Sequence, residues 1–150
     1  MKFEPRDPNY RQKVTESFAR QAAMRTIGCE IAAIEPGEIN LAVPYDERFS
    51  QQHGFMHAGF LAMVMDSACG YAAFSLMPEG AAVLAVEFKT NLLRPAVGER
   101  FDVTGKVLKA GKTLSVCQAE TYAVSDAGEK LVAQMTGTIM AVYDRDGVRN

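Results

Sequence analysis

The longest apolar run in the chain is Ala58 to Met77, twenty positions that hold one charged side chain, Asp66. Small residues recur through it, among them Gly59, Ala62, Ala68, Gly70 and Ala72, so other backbone can pack close on several sides. The run predicts a buried helix. A helix that is apolar on nearly every side needs cover on nearly every side.

The pattern elsewhere is shorter in period. Asn9 to Met24 reads as a helix, with Val14, Phe18 and Ala22 on one face among polar positions. Cys29–Glu35 and Glu38–Tyr45 read as two strands around the turn dipeptide Pro36-Gly37. After a Pro78-Glu79-Gly80 break, apolar and polar positions alternate over Val86-Glu87-Phe88-Lys89, in a stretch that continues to Leu93, and again from Phe101 to Val107. Two further strands, Thr113–Val124 and Leu131–Tyr143, follow the turns at Gly111 and Ser125–Gly128. Helix, two strands, buried helix and four strands with short connections predict antiparallel neighbours. The expected class is α+β: a curved antiparallel sheet wrapped around the long central helix, with an N-terminal helix in addition.

Length sets the frame as one domain over residues 1–150, with an N-terminal helical segment over 1–25 and a polar, frayed tail over 144–150. A hydrophobic content of 48% and a charged content of 23% fit a globular chain. The net charge is −2 and no Lys/Arg run stands out, so neither a nucleic-acid nor a membrane-surface partner is expected. The apolar run is long enough to span a bilayer. It contains Asp66 at its middle and lacks a flanking positive bias, so a core helix is the better reading. No apolar segment opens the chain, and the three cysteines are odd in number and far apart. A signal peptide and a disulfide framework are therefore not expected, and the expected location is cytoplasmic.

Candidate chemistry concentrates where the loop meets the helix. Both histidines, His53 and His57, lie in the seven residues before Ala58. Taken singly, Asp66 is a satisfied buried carboxylate and each histidine a loop residue with local hydrogen bonds. Together they form a Gly- and His-bearing loop that opens a helix carrying an otherwise unpaired acid. A buried carboxylate is costly to hold without a use, and a helix N-terminus offers free N–H groups to a developing negative charge. No GxSxG elbow, phosphate loop or GxGxxG is present. A metal site built from His53, His57 and Asp66 would not have a recognised zinc spacing, so neither a metal nor a cofactor is expected.

The stretch Gln51-x-x-Gly54-x-x-His57-Ala58-Gly59, with Asp66 followed by Ser67-Ala68, resembles the hotdog acyl-CoA thioesterases of the phenylacetate-degradation (PaaI) type. The resemblance continues through Val86–Pro95 and Gly111-Lys112-Thr113-Leu114. Three departures stand out. Ala58 replaces the first glycine of the usual His-Gly-Gly, although alanine keeps the backbone N–H. Gln51 stands where many members carry Asn. Ala85 occupies the strand position at which some members carry a helper serine.

The resemblance implies hydrolysis of acyl-CoA thioesters without a cofactor. The Ala58 N–H would polarise the carbonyl, Gln51 would orient the carbonyl or water, and Asp66 would act as general base or as nucleophile. His57 would shape the loop, while Gly54 and Gly59 allow close backbone approach. Arg94, Lys109 and Lys112 are candidates for the coenzyme A phosphates. Phe60, Met63, Met56 and Phe18 are candidates for an acyl channel. Ala58 and Asp66 are eight residues apart on one helix, or ~12 Å along its axis, too far to reach one carbonyl carbon. Two copies with antiparallel central helices would solve this, so a homodimer or a homotetramer built as a dimer of dimers is expected. The alternatives are a hotdog dehydratase or hydratase, and a non-catalytic acyl-CoA sensor.

Overall fold

The computed structural model describes residues 3–148. Helices α1 (Tyr10–Arg20) and α2 (Ala22–Thr26) lead into strands β1 (Glu30–Glu35) and β2 (Glu38–Pro44). A short 3₁₀ turn over Glu47–Phe49 precedes the central helix α3 (Ala58–Phe74). Strands β3 (Ala82–Leu92), β4 (Arg100–Lys109), β5 (Leu114–Ser125) and β6 (Gly128–Val142) complete the six-stranded sheet. All neighbours run antiparallel, in the order β1-β2-β4-β5-β6-β3. The sheet curves around α3, and this is the hotdog arrangement expected from the pattern.

Close packing of helix on sheet follows from small inward residues. Ser115, Cys117, Ala119, Thr121 and Ala123 alternate inward along β5 and are all buried. At Gly105 on β4 an added Cβ would run into the Ala68 backbone of α3, so only glycine lets the two elements meet there. All three cysteines are free and buried, and burial pushes the Cys29 and Cys117 thiols up to about 12. The helix stops at Phe74, short of the end of the apolar run, where the Ser75 hydroxyl donates back to the Ala72 carbonyl. Lys13 of α1 donates to the Met77 carbonyl at 2.6 Å and sits over the Phe74 ring, tying the N-terminal segment to the far end of α3.

Three sequence expectations are corrected. The helix expected over Asn9–Met24 is broken at Gln21, whose ψ of 99° is extended. Strand β3 starts at Ala82 and β6 at Gly128, both earlier than the alternation indicated. Strands β3 and β4 are not neighbours: β3 pairs with β6 at one edge, while β4 lies beside β2. The chain between them crosses the end of the sheet and is pinned there, with Met56 N–H donating to Ala96 O at 3.0 Å. Of the expected polar tail, Val148 N–H donates to Arg145 O, and Arg149 and Asn150 lie outside the described residues. No helix is long and apolar enough to cross a membrane among the described residues.

Candidate active site

The loop before α3 is held by its own backbone. Gln51 N–H donates to Phe55 O at 2.8 Å and Gly54 N–H to Gln51 O at 2.9 Å. Gly54 has φ +81°, a left-handed turn conformation that suits glycine, and its carbonyl accepts from the Tyr45 hydroxyl. His57 N–H donates to Phe49 O. The His57 side chain then caps the helix, its Nδ1 accepting from Gly59 N–H at 2.9 Å. His57 O accepts from Phe60 and Leu61. Among the described residues this leaves the Ala58 N–H with no acceptor at the positive end of the helix.

A cavity of about 450 Å³ opens at this point. Gln51, Met56, His57, Ala58, Leu92 and Arg94 contribute to its wall. The Gln51 Oε1 is taken by His53 N–H, so its amide NH2 is left to serve the cavity. Arg94 anchors one guanidinium nitrogen on Leu131 O at 2.7 Å. Gly59, Phe60 and Met63 face a neighbouring groove of about 400 Å³ that also touches His57. Lys109 and Lys112 stand at the β4–β5 turn and line neither space. Phe18, a candidate for the acyl channel, is buried edge-on against Tyr71.

Asp66 lies elsewhere on the same chain. It shares a smaller cavity of about 160 Å³ with Gln21, Ser67, Tyr71, Val83 and Ala85. No residue lines both this space and the Gln51 cavity. Asp66 is half-buried and, among the described residues, meets no hydrogen-bond donor and no cation. Burial pushes the pKa of its carboxyl up from the ordinary aspartate value. A carboxyl so placed is a better proton acceptor than a solvated one. Among the described residues, no three of His, Cys, Asp and Glu gather closely enough to hold a metal ion.

Gln21 is the residue the sequence did not single out. It sits at the break between α1 and α2, and its Oε1 accepts from the Ser67 hydroxyl at 3.2 Å. Its partner is 46 positions away in sequence, and no local pattern announces the pairing.

Comparison with known proteins is consistent over most of the chain. A sequence model described as the Thioesterase superfamily matches residues 53–129. The crystal structure of a thioesterase family protein from Silicibacter pomeroyi superposes with a TM-score of 0.88 at 55% identity, covering 89% of this chain and 98% of that one. The structure of the E. coli PaaI protein from the phenylacetic acid degradation operon gives a TM-score of 0.80 at 22% identity, covering 91% and 96%. That match speaks for the fold. Human acyl-coenzyme A thioesterase 13 is 28% identical over 105 residues, 69% of this chain and 73% of that protein.

Proposed function

The chain belongs to the thioesterase superfamily, whose reaction class is thioester hydrolysis, and from that premise we propose that it hydrolyses acyl-CoA thioesters at a site shared by two subunits. One observation carries this reading. The two halves of the chemistry sit at opposite ends of β3: Asp66 with Val83 and Ala85 near its start, Gln51 and Ala58 with Leu92 near its end. Strand β3 is also a sheet edge with apolar side chains in the open, Val86 at 54% exposure, Phe88 at 47% and Leu92 at 57%. Such an edge is a template for pairing. A two-fold, antiparallel pairing of β3 with a second copy sets the start of one strand against the end of the other. The Asp66 half of one subunit then faces the Ala58 half of its partner.

At the completed site the Ala58 N–H and the helix terminus stabilise the oxyanion. The Gln51 amide orients the thioester, and Asp66 takes a proton from water. Arg94, at the wall of the Gln51 cavity, meets the coenzyme A phosphates, and the acyl group enters the apolar space by Met56 and Leu61. An acyl-CoA substrate also agrees with the name of the human relative. We place the whole of residues 1–150 in one such domain, acting in the cytoplasm as a homodimer or a dimer of dimers.

Free-thiol release by the purified chain over a panel of acyl-CoA esters tests the substrate class. Turnover is expected to be unchanged by EDTA; activity abolished by EDTA and restored by zinc would contradict the proposed chemistry. Light scattering at the assay concentration is expected to give a dimer or a multiple of it. A fully active monomer would contradict the shared site.

A further inference from the structure

We infer that Gln21 is a catalytic residue of the Asp66 half-site, its amide NH2 holding the hydrolytic water against the carboxylate. The inference rests on the thioester-hydrolysis reading above and adds to it the group that anchors the water. The Asp66 cavity has few polar groups. Val83, Ala85 and Gly70 bring no polar side chain to it. The Tyr71 hydroxyl is 3.3 Å from Ser17 Oγ and paired with it. Ser67 is buried, and its hydroxyl donates a hydrogen bond to Gln21 Oε1. That hydrogen bond fixes one end of the Gln21 amide and leaves the NH2 end, a donor still unspent among the described residues, on a side chain that lines the same cavity as the unpaired Asp66 carboxylate.

The Gln21 side chain caps neither α1 nor α2. The helical run breaks there without a proline or glycine, and the break carries the amide to α3. A cavity of about 160 Å³ has room for a water, whose share of liquid volume is about 30 Å³. Val83 and Ala85 give the strand side of the cavity no polar side chain, so the polar contact comes from the N-terminal segment.

The step balances. The water gives one proton to Asp66 and accepts from the Gln21 N–H with one lone pair. With the other it attacks the thioester carbon, and the carbonyl oxygen becomes the oxyanion. Collapse of that intermediate breaks the C–S bond, and the departing thiolate takes the proton from Asp66.

The test uses the full chain with Gln21→Met, which keeps length and apolar stem, and with Ser67→Ala, which frees the amide. Turnover of acyl-CoA is measured with and without hydroxylamine, a nucleophile that attacks the thioester without the anchored water. For Gln21→Met, kcat for hydrolysis is expected to fall about 10- to 100-fold, the size of effect that a misplaced reactant produces. KM should stay within about twofold, and the ratio of hydroxamate to free acid should rise by a similar factor to the loss in kcat. Ser67→Ala should move the same ratio in the same direction by less, and it carries the test if Gln21→Met does not fold. Hydrolysis and hydroxamate formation falling together, with a lowered Tm, would make Gln21 structural and overturn the inference. An unchanged kcat would overturn it as well. If the wild-type chain releases no thiol, the thioesterase reading itself fails, and Gln21 with it; an active wild type beside an unaffected Gln21→Met removes only the role of Gln21.

Discussion

Replacing Asp66 with Asn is expected to lower kcat by at least about 10²–10⁴-fold, the contribution of a positioned general base, while the protein folds normally. Asn keeps the size of the side chain but accepts no proton. Its effect on stability should be neutral or favourable, as the sign of the shift requires. Burial raises the Asp66 pKa in the folded chain, so the folded state holds the proton more tightly than the unfolded one. The stabilising contribution is then full below the unfolded value and is lost as pH rises through the folded value. At neutral pH the carboxylate is a burden on the fold, and Asn removes it. The same shift sets the acid limb of the rate: kcat/KM should fall as pH drops through a value raised above that of an ordinary aspartate. A thermal midpoint and a kcat from one preparation decide the matter. A destabilised variant that keeps its activity in the folded fraction would make Asp66 structural.

The second large effect is expected at Ala58. The proposed oxyanion donor is a backbone N–H, which most substitutions leave in place. Proline removes it, and the first position of a helix tolerates proline because its fixed φ suits the helix and its N–H has no intrahelical partner. His57, just before it, is already extended at φ −62° and ψ 139°, as a residue preceding proline requires. Ala58→Pro is therefore expected to fold and to lose about 10²–10³-fold in kcat, the usual loss for one oxyanion donor. Ala58→Gly, which keeps the N–H, should stay close to wild type. Equal activity in the two variants, measured by thiol release, would move the oxyanion site away from Ala58.

Much of this was legible in the sequence, and the parts that were not share a cause. The central helix announced itself through composition: an apolar run with one charge has no solvent face, so it must be wrapped, and strands with alternating polarity can wrap it. The shape of the loop was legible because it is local. Gln51, Gly54, His57 and Ala58 are neighbours in sequence and are shaped by hydrogen bonds among themselves and to the residues around them. Sheet order was not legible. Whether β4 follows β3 as a hairpin or crosses to β2 depends on pairings between distant segments, and the alternation of side chains is the same either way. The break at Gln21 was hidden for a related reason. Gln21-Ala22-Ala23 favours a continuous helix by propensity, and the contact to Ser67 that accompanies the break forms only once α3 is in place. The separation of Ala58 and Asp66 into two cavities was anticipated by helix arithmetic, ~12 Å for eight residues. The arithmetic gave no hint that the two cavities would lie at opposite ends of an exposed edge strand.

The shared site can be tested by combining the two inactive variants. Asp66→Asn and Ala58→Pro subunits, co-expressed with different tags and purified as the heterodimer, form one site with both lesions and one with neither. Thiol release by that heterodimer should return to about half the wild-type rate per dimer, while each parent homodimer stays inactive. A heterodimer as inactive as its parents would place Ala58 and Asp66 in the same site within a single subunit.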